Sequence, residues 1–196
     1  VTVPDLVRRA EAVAAAVGFP LTREEAPPGQ PSACLPGVGR FLAVLAADCT
    51  SIAELGTGVG IGSAWLASAL PADGRLITAE LDPGLAAAAR DLLAGDPRVE
   101  VLAGDAIEVI EGRGPFDLIF ADCGVRDEAQ FDRLVDQLRP GGRIVMDDVT
   151  PAGAGEAPPT DDLKRGFFAS QRLVSTEVVL TDLRNSLLVG TRISGR

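Results

Sequence analysis

Histidine and tyrosine are absent from this chain of 196 residues, and lysine occurs once, at Lys164. Without histidine there is no Ser-His-Asp or Cys-His nucleophile pair and no imidazole for a zinc site. A phosphate-binding Walker loop needs a Gly-Lys pair, and none occurs. The three cysteines, Cys34, Cys49 and Cys123, have neither metal-ligand nor framework spacing. They read as reduced thiols in a cytosolic setting, with Cys123 expected as a small buried filler. No apolar run reaches the roughly 18 residues that a membrane helix needs, and the first residues lack the basic-then-apolar layout of a secretory signal. The expectation is a soluble, cytoplasmic protein with no membrane partner. A formal charge of −10 repels polyanions, and no basic patch offsets it, so nucleic acid is not an expected partner.

What is present is apolar residue in abundance, 46% of the chain, enough to close one good-sized core. The whole of 1–196 is expected to form a single domain, with N-terminal helices and a lid over 1–47 and the core over 48–196. Pro4 to Val17 carries apolar residues at helical spacing, with Thr2 as its cap and Pro4 in its first turn. Pro20 to Pro36 gathers five prolines and reads as an ordered loop or lid. Helical spacing returns from Val38 to Ala47. Short β-rich runs follow at Ser51–Leu55, Arg75–Ala79, Arg98–Leu102, Phe116–Ala121 and Arg143–Met146, each succeeded by an Ala/Leu-rich helical stretch. That alternation predicts an α/β doubly wound, mostly parallel sheet. Ala152–Pro159 reads as a loop near the ligand edge, and Asp161–Arg172 as a helix. Leu173–Leu180 and Ser186–Ile193 read as an antiparallel pair of strands joined by the turn Thr181–Asn185.

In an open α/β sheet, ligands sit beyond the carboxyl ends of the strands, so the loop after the first strand is the place to look. Here it is Gly56-Thr-Gly-Val-Gly60-Ile-Gly62. Its glycines let a ligand lie directly on the main chain, and the following helix offers free N–H groups. A dinucleotide fingerprint needs a third glycine three residues after the second, and those positions hold Ile61 and Ser63. What the loop does match is an acidic residue, Glu54, followed by G-x-G-x-G. This resembles motif I of class I S-adenosylmethionine-dependent methyltransferases. Glu80 closes the second strand, where a carboxylate can accept both ribose hydroxyls. Asp105, in Ala103-Gly-Asp-Ala106, follows the third strand and is placed to reach the adenine amino group. Glu54 itself reads equally as a buried cap of loop amides, and Trp65 as core or adenine-facing packing rather than a substrate platform.

From about Gln30 to Ile193 the chain also resembles the cation-dependent small O-methyltransferases, the group of catechol and caffeoyl-CoA O-methyltransferases. The pieces are Pro36-Gly-Val-Gly-Arg-Phe-Leu-Ala-Val-Leu45, Ala53-Glu-Leu-Gly-Thr-Gly58, Leu76-Ile-Thr-Ala-Glu-Leu-Asp-Pro83, Gly104-Asp-Ala106, Phe116-Asp-Leu-Ile-Phe-Ala-Asp122 and Leu138-Arg-Pro-Gly-Gly-Arg-Ile-Val-Met-Asp-Asp148. The resemblance implies a seven-stranded Rossmann-like sheet in the order 3-2-1-4-5-7-6 with the last strand antiparallel. It implies S-adenosylmethionine as cofactor, held by Glu54, Gly56, Thr57, Gly58, Gly60, Ser63, Glu80, Asp105, Ala106 and Asp122. It also implies a magnesium ion on Asp122, Asp147 and Asp148, a catalytic role for Asp122, a hydroxylated phenol-like or catechol-like small molecule as methyl acceptor, and a homodimer. Where such enzymes carry a general-base lysine, this chain has Val125, followed by Arg126, which is a poor proton acceptor.

The residues leave alternatives open. Asp122, Asp147 and Asp148 read as backbone caps as readily as metal ligands. An NAD(P)-dependent oxidoreductase shares Glu80 but not the glycine spacing, and a non-catalytic S-adenosylmethionine-binding module fits the missing lysine. An RNA acceptor is disfavoured by the acidic charge.

Overall fold

The computed structural model describes residues 2–28, 30–125, 127–149, 161–180 and 186–194, and of residues 148 and 161–163 the backbone alone. The expected loop Ala152–Pro159, the turn Thr181–Asn185 and Arg126 lie outside the described residues. Helices α1 (Asp5–Val17) and α2 (Pro36–Ala46) precede five βα repeats: β1 (Ser51–Leu55), α3 (Ile61–Ala69), β2 (Arg75–Glu80), α4 (Pro83–Leu93), β3 (Val99–Ala103), α5 (Ala106–Ile110), β4 (Phe116–Ala121), α6 (Glu128–Gln137), β5 (Leu138–Val149) and α7 (Asp161–Ala169). Strands β6 (Leu173–Val179) and β7 (Ser186–Arg192) follow.

The seven strands lie in the order β3-β2-β1-β4-β5-β7-β6. Neighbours from β3 through β5 run parallel, and β7 is antiparallel to both β5 and β6. Central strands covered on both faces are mostly apolar, and β1 and β4 are buried at every position. One apolar cluster gathers side chains of α1 to α4, including Val7, Leu42, Trp65 and Leu93. A second gathers those of α5 to α7, including Ile107, Leu134 and Phe167. The sheet order reverses between β1 and β4, so the helices leave a crevice at that switch point.

Three local expectations are corrected. Pro4, not Thr2, is the N-cap of α1, and no side chain caps that helix. Thr2 lies outside the reach of the first-turn amides because proline fixes the entry one residue before Asp5. Strand β5 begins at Leu138 rather than Arg143 and runs through Pro140-Gly141-Gly142. The register with β4 slips there, Phe116 facing Leu138 while Leu118 faces Arg143, so the Pro-Gly-Gly segment is a bulge within a pairing and not a turn before it. Helix α7 stops at Ala169, short of the expected Arg172. Arg172 is instead held by Asp132 and Asp136 of α6 as the chain turns into β6.

Candidate active site

A cavity of about 1400 Å³ opens at the carboxyl ends of the strands. Its floor is the glycine loop, with Gly56, Thr57, Gly58 and Val59 on the wall. Glu80 at the end of β2, Asp105 and Ala106 after β3, Asp122 and Cys123 after β4, and Met146 and Asp147 on β5 complete the strand-end side. Phe19, Arg23, residues 30–34, Arg165 to Phe167 and Ala169 to Arg172 also line the cavity. Such a volume exceeds what one drug-sized ligand fills, so there is room for a cofactor and a second small molecule.

The loop has its shape because Gly56 sits at φ +94°, and because a Cβ there would come 2.9 Å from the carbonyl oxygen of Asp122. The β1 loop and the β4 loop therefore touch backbone to backbone, joined also by the Asp122 N–H donating to the Leu55 carbonyl at 2.8 Å. Glu80 fixes the same loop from the other side. Its Oε2 accepts the Gly58 N–H at 2.7 Å and its Oε1 the Asp82 N–H at 2.9 Å. Each carboxylate oxygen retains a lone pair directed elsewhere. Asp105 caps α5, accepting the Ile107 and Glu108 amides on Oδ1 at 3.0 and 3.4 Å, while also standing on the cavity wall.

Of the positions singled out in the sequence, Gly56, Thr57, Gly58, Glu80, Asp105, Ala106, Asp122 and Asp147 meet on this one cavity. Glu54, Gly60 and Ser63 do not line it. Gly60 is the left-handed N-cap of α3 and backs onto Leu92 and Ala89 of α4. Glu54 is fully buried beneath the loop, accepting Thr78 Oγ1 at 2.6 Å and the Ser63 hydroxyl on Oε2. It caps no loop amide. Its Oε1 has no hydrogen-bond partner and lies where a Cβ at Gly62 would be, 2.3 Å away, so Gly62 is glycine to make room for it. Burial pushes the Glu54 carboxyl up to about 7; the Ser63 and Thr78 hydroxyls pull against the rise and the Glu80 charge adds to it. Thr57 completes the chain, its hydroxyl donating to that of Thr78 at 2.6 Å. Since Thr78 spends its own proton on Glu54, the direction from Thr57 to Thr78 to Glu54 is set.

Cys123 is exposed on the cavity wall rather than buried, because it lies beyond β4 in a loop with no strand neighbour to cover it. Trp65 is core: its indole packs against Gly39 of α2 and does not face the cavity. Val125 is nearly buried and apolar on the cavity wall. Asp122 and Asp147 are both half-buried there, whereas the Asp148 side chain lies outside the described residues. Among the described residues no three metal-ligating side chains form a group. Sequence reasoning missed Phe19, whose ring lies 3.2 Å from where a Cβ at Gly58 would stand, and Thr78. A hydroxyl inside an otherwise apolar strand was the available signal for Thr78.

A family model described as "Methyltransferase domain" matches residues 53–149. A "Catechol O-methyltransferase" of Niastella koreensis is 40% identical over 129 residues, 60% of this chain and 58% of that relative, so the chain spans less than two thirds of its length. A "Putative O-methyltransferase" of Mycobacterium sp. (strain JLS) is 33% identical over 82% of this chain and 79% of its own. Among solved structures, an O-methyltransferase from Bacillus cereus in complex with SAH superposes with a TM-score of 0.76 at 25% identity, over 98% of this chain and 93% of that one.

Proposed function

Because the chain belongs to the class I S-adenosylmethionine-dependent O-methyltransferases of the catechol and caffeoyl-CoA type, we propose that it methylates a hydroxylated, catechol-like or phenol-like small molecule in the cavity at the β1/β4 switch point. The observation that carries the reading is Glu80, which anchors the Gly58 amide while facing the cavity. Preorganised this way, its remaining lone pairs accept the two ribose hydroxyls of the cofactor. The backbone of Gly56 to Gly58 underlies the amino-acid portion, and Asp105 with the Ala106 amide takes the adenine edge. Glu54 and Ser63 act through the loop they support. The acceptor class is supported by the Niastella relative, whose name states a catechol substrate.

Methyl transfer is an in-line displacement, in which a nucleophilic oxygen meets the sulfonium methyl group. Alignment in a water-poor cavity supplies most of what a protein can contribute to it. Asp122 and Asp147 share the cavity wall and offer the oxygen donors that a hard cation selects, so the donor set fits magnesium. With Asp148 they would hold the ion, which would supply a Lewis acid that makes an acceptor hydroxyl more acidic.

Calorimetric titration with S-adenosylhomocysteine tests the cofactor site. Wild-type protein binds it, and Glu80→Ala loses about 1–3 kcal/mol of affinity as a charged hydrogen-bond pair disappears. Equal affinity in the two proteins would remove Glu80 from the site. For the metal, chelator abolishes turnover and added magnesium restores it, while Asp147→Ala loses turnover and keeps its affinity for S-adenosylhomocysteine. Full turnover in chelator refutes the metal and leaves the cofactor assignment intact.

A further inference from the structure

An acceptor hydroxyl must lose its proton, and this chain is poor in groups able to take it. Histidine and tyrosine are absent from the sequence, so the residues that line the cavity include neither. The single lysine is spoken for. Lys164 is buried on α7 with its Nζ 2.8 Å from Glu177 Oε1 of β6, and Glu177 also accepts the Ser186 hydroxyl at 2.6 Å. Its chain neighbours Arg165, Gly166 and Phe167 line the cavity, but Lys164 does not. Among the described residues the cations on the wall are guanidinium groups, Arg23, Arg165 and Arg172, which accept no proton. The remaining bases are carboxylates and the Cys123 thiol on the wall; a carboxylate is weaker than a phenolate by about six powers of ten, and an ordinary thiol is mostly protonated near neutral pH.

Resting on the methyltransferase function proposed above, we infer that this enzyme works without a general base and selects acceptors whose hydroxyl is acidic enough to be ionised in solution. Such acceptors are phenols or catechols bearing electron-withdrawing substituents. The acceptor's proton goes to solvent before methyl transfer. The phenolate oxygen then forms a bond to the methyl carbon as the carbon–sulfur bond breaks, its electron pair returning to sulfur to give neutral S-adenosylhomocysteine.

The test is a series of ring-substituted catechols of graded acidity, with kcat/KM measured by S-adenosylhomocysteine release from low to high pH in magnesium. Because kcat/KM reports the ionisation of free enzyme and free acceptor, each profile rises tenfold per pH unit and levels at the acceptor's own pKa. The break therefore moves through the series in step with the acceptor. A break that stays at one pH whatever the acceptor belongs to the enzyme and overturns the inference; if Cys123→Ser abolishes that break, the thiolate is the base. Absence of product from even the most acidic member also overturns it. Calorimetric binding of S-adenosylhomocysteine then shows whether the methyltransferase function falls with it.

Discussion

Glu54 makes the protein's stability depend on pH in a direction opposite to most carboxylates. Its side chain is fully buried, one oxygen is bonded to Ser63 and Thr78, and the other has no partner. Desolvation of an anion with half its acceptor capacity unfilled raises the carboxyl from its ordinary 4.5 to about 7. Between those two values the folded protein holds a proton that the unfolded chain has released. Stability is then greatest below about 4.5 as far as this group is concerned, falls as pH rises, and levels off above about 7. At 1.36 kcal/mol per pH unit the fall amounts to about 3 kcal/mol. Glu54→Gln keeps an oxygen for Ser63 and Thr78 and cannot ionise. Urea denaturation of both proteins from pH 5 to 8 is expected to show the variant gaining on the wild type by about 3 kcal/mol across the range, reaching its full advantage above pH 7. A stability difference constant with pH would mean that Glu54 is ionised throughout, and that its orphan oxygen is solvated by something the buried geometry does not provide.

Two further perturbations test the frame around the site. Asp117, 7% exposed on β4, accepts the Thr50 and Ser51 amides at 2.6 and 2.9 Å and pairs with Arg139. Burial pushes its carboxyl up, but Arg139 and the Thr50 and Ser51 donors outweigh that and hold it near 2. Its contribution is complete above about 4 and is lost as pH falls towards 2, so Asp117→Ala is expected to lose about 2–4 kcal/mol at pH 7 and to converge on wild type in acid, measured by urea titration. In Gly39→Ala the new Cβ would lie 2.2 Å from the Trp65 ring, tighter than any real contact. Overpacking of about 1–3 kcal/mol follows, with altered emission from the single tryptophan; unchanged melting and emission would refute the close approach of α2 to α3.

The order of elements was legible because each depends on a local signal. Central parallel strands buried on both faces read as largely apolar runs, as in Phe116–Ala121 with Asp117 the one polar member, and the helices between them read by their spacing. What was illegible depends on a partner distant in sequence. Pro140-Gly141-Gly142 carries every mark of a turn, yet remains in β5 because Phe116 and Leu118 of β4 pair on either side of it. The end of α7 is set by carboxylates of α6 that capture Arg172, and no pattern within 161–172 announces them.

The same distinction separates the site residues that reach the cavity from those that do not. Glu80 is the last residue of β2, and Asp122 is the first after β4, so both project beyond the strand ends. Glu54 is one residue short of the end of β1. In a strand that single position matters, because side chains alternate between faces and only those past the carboxyl edge can turn into the crevice. Glu54 pairs in register with Thr78 of β2, which places both on one face of the sheet, and Ser63 of α3 covers that face. A carboxylate there cannot contact a ligand directly, but it can govern one through the loop. The route is concrete: Thr57 lines the cavity and donates to Thr78, which donates to Glu54. Residue identities gave the acidic position and the glycines; strand register was needed to tell a support from a contact.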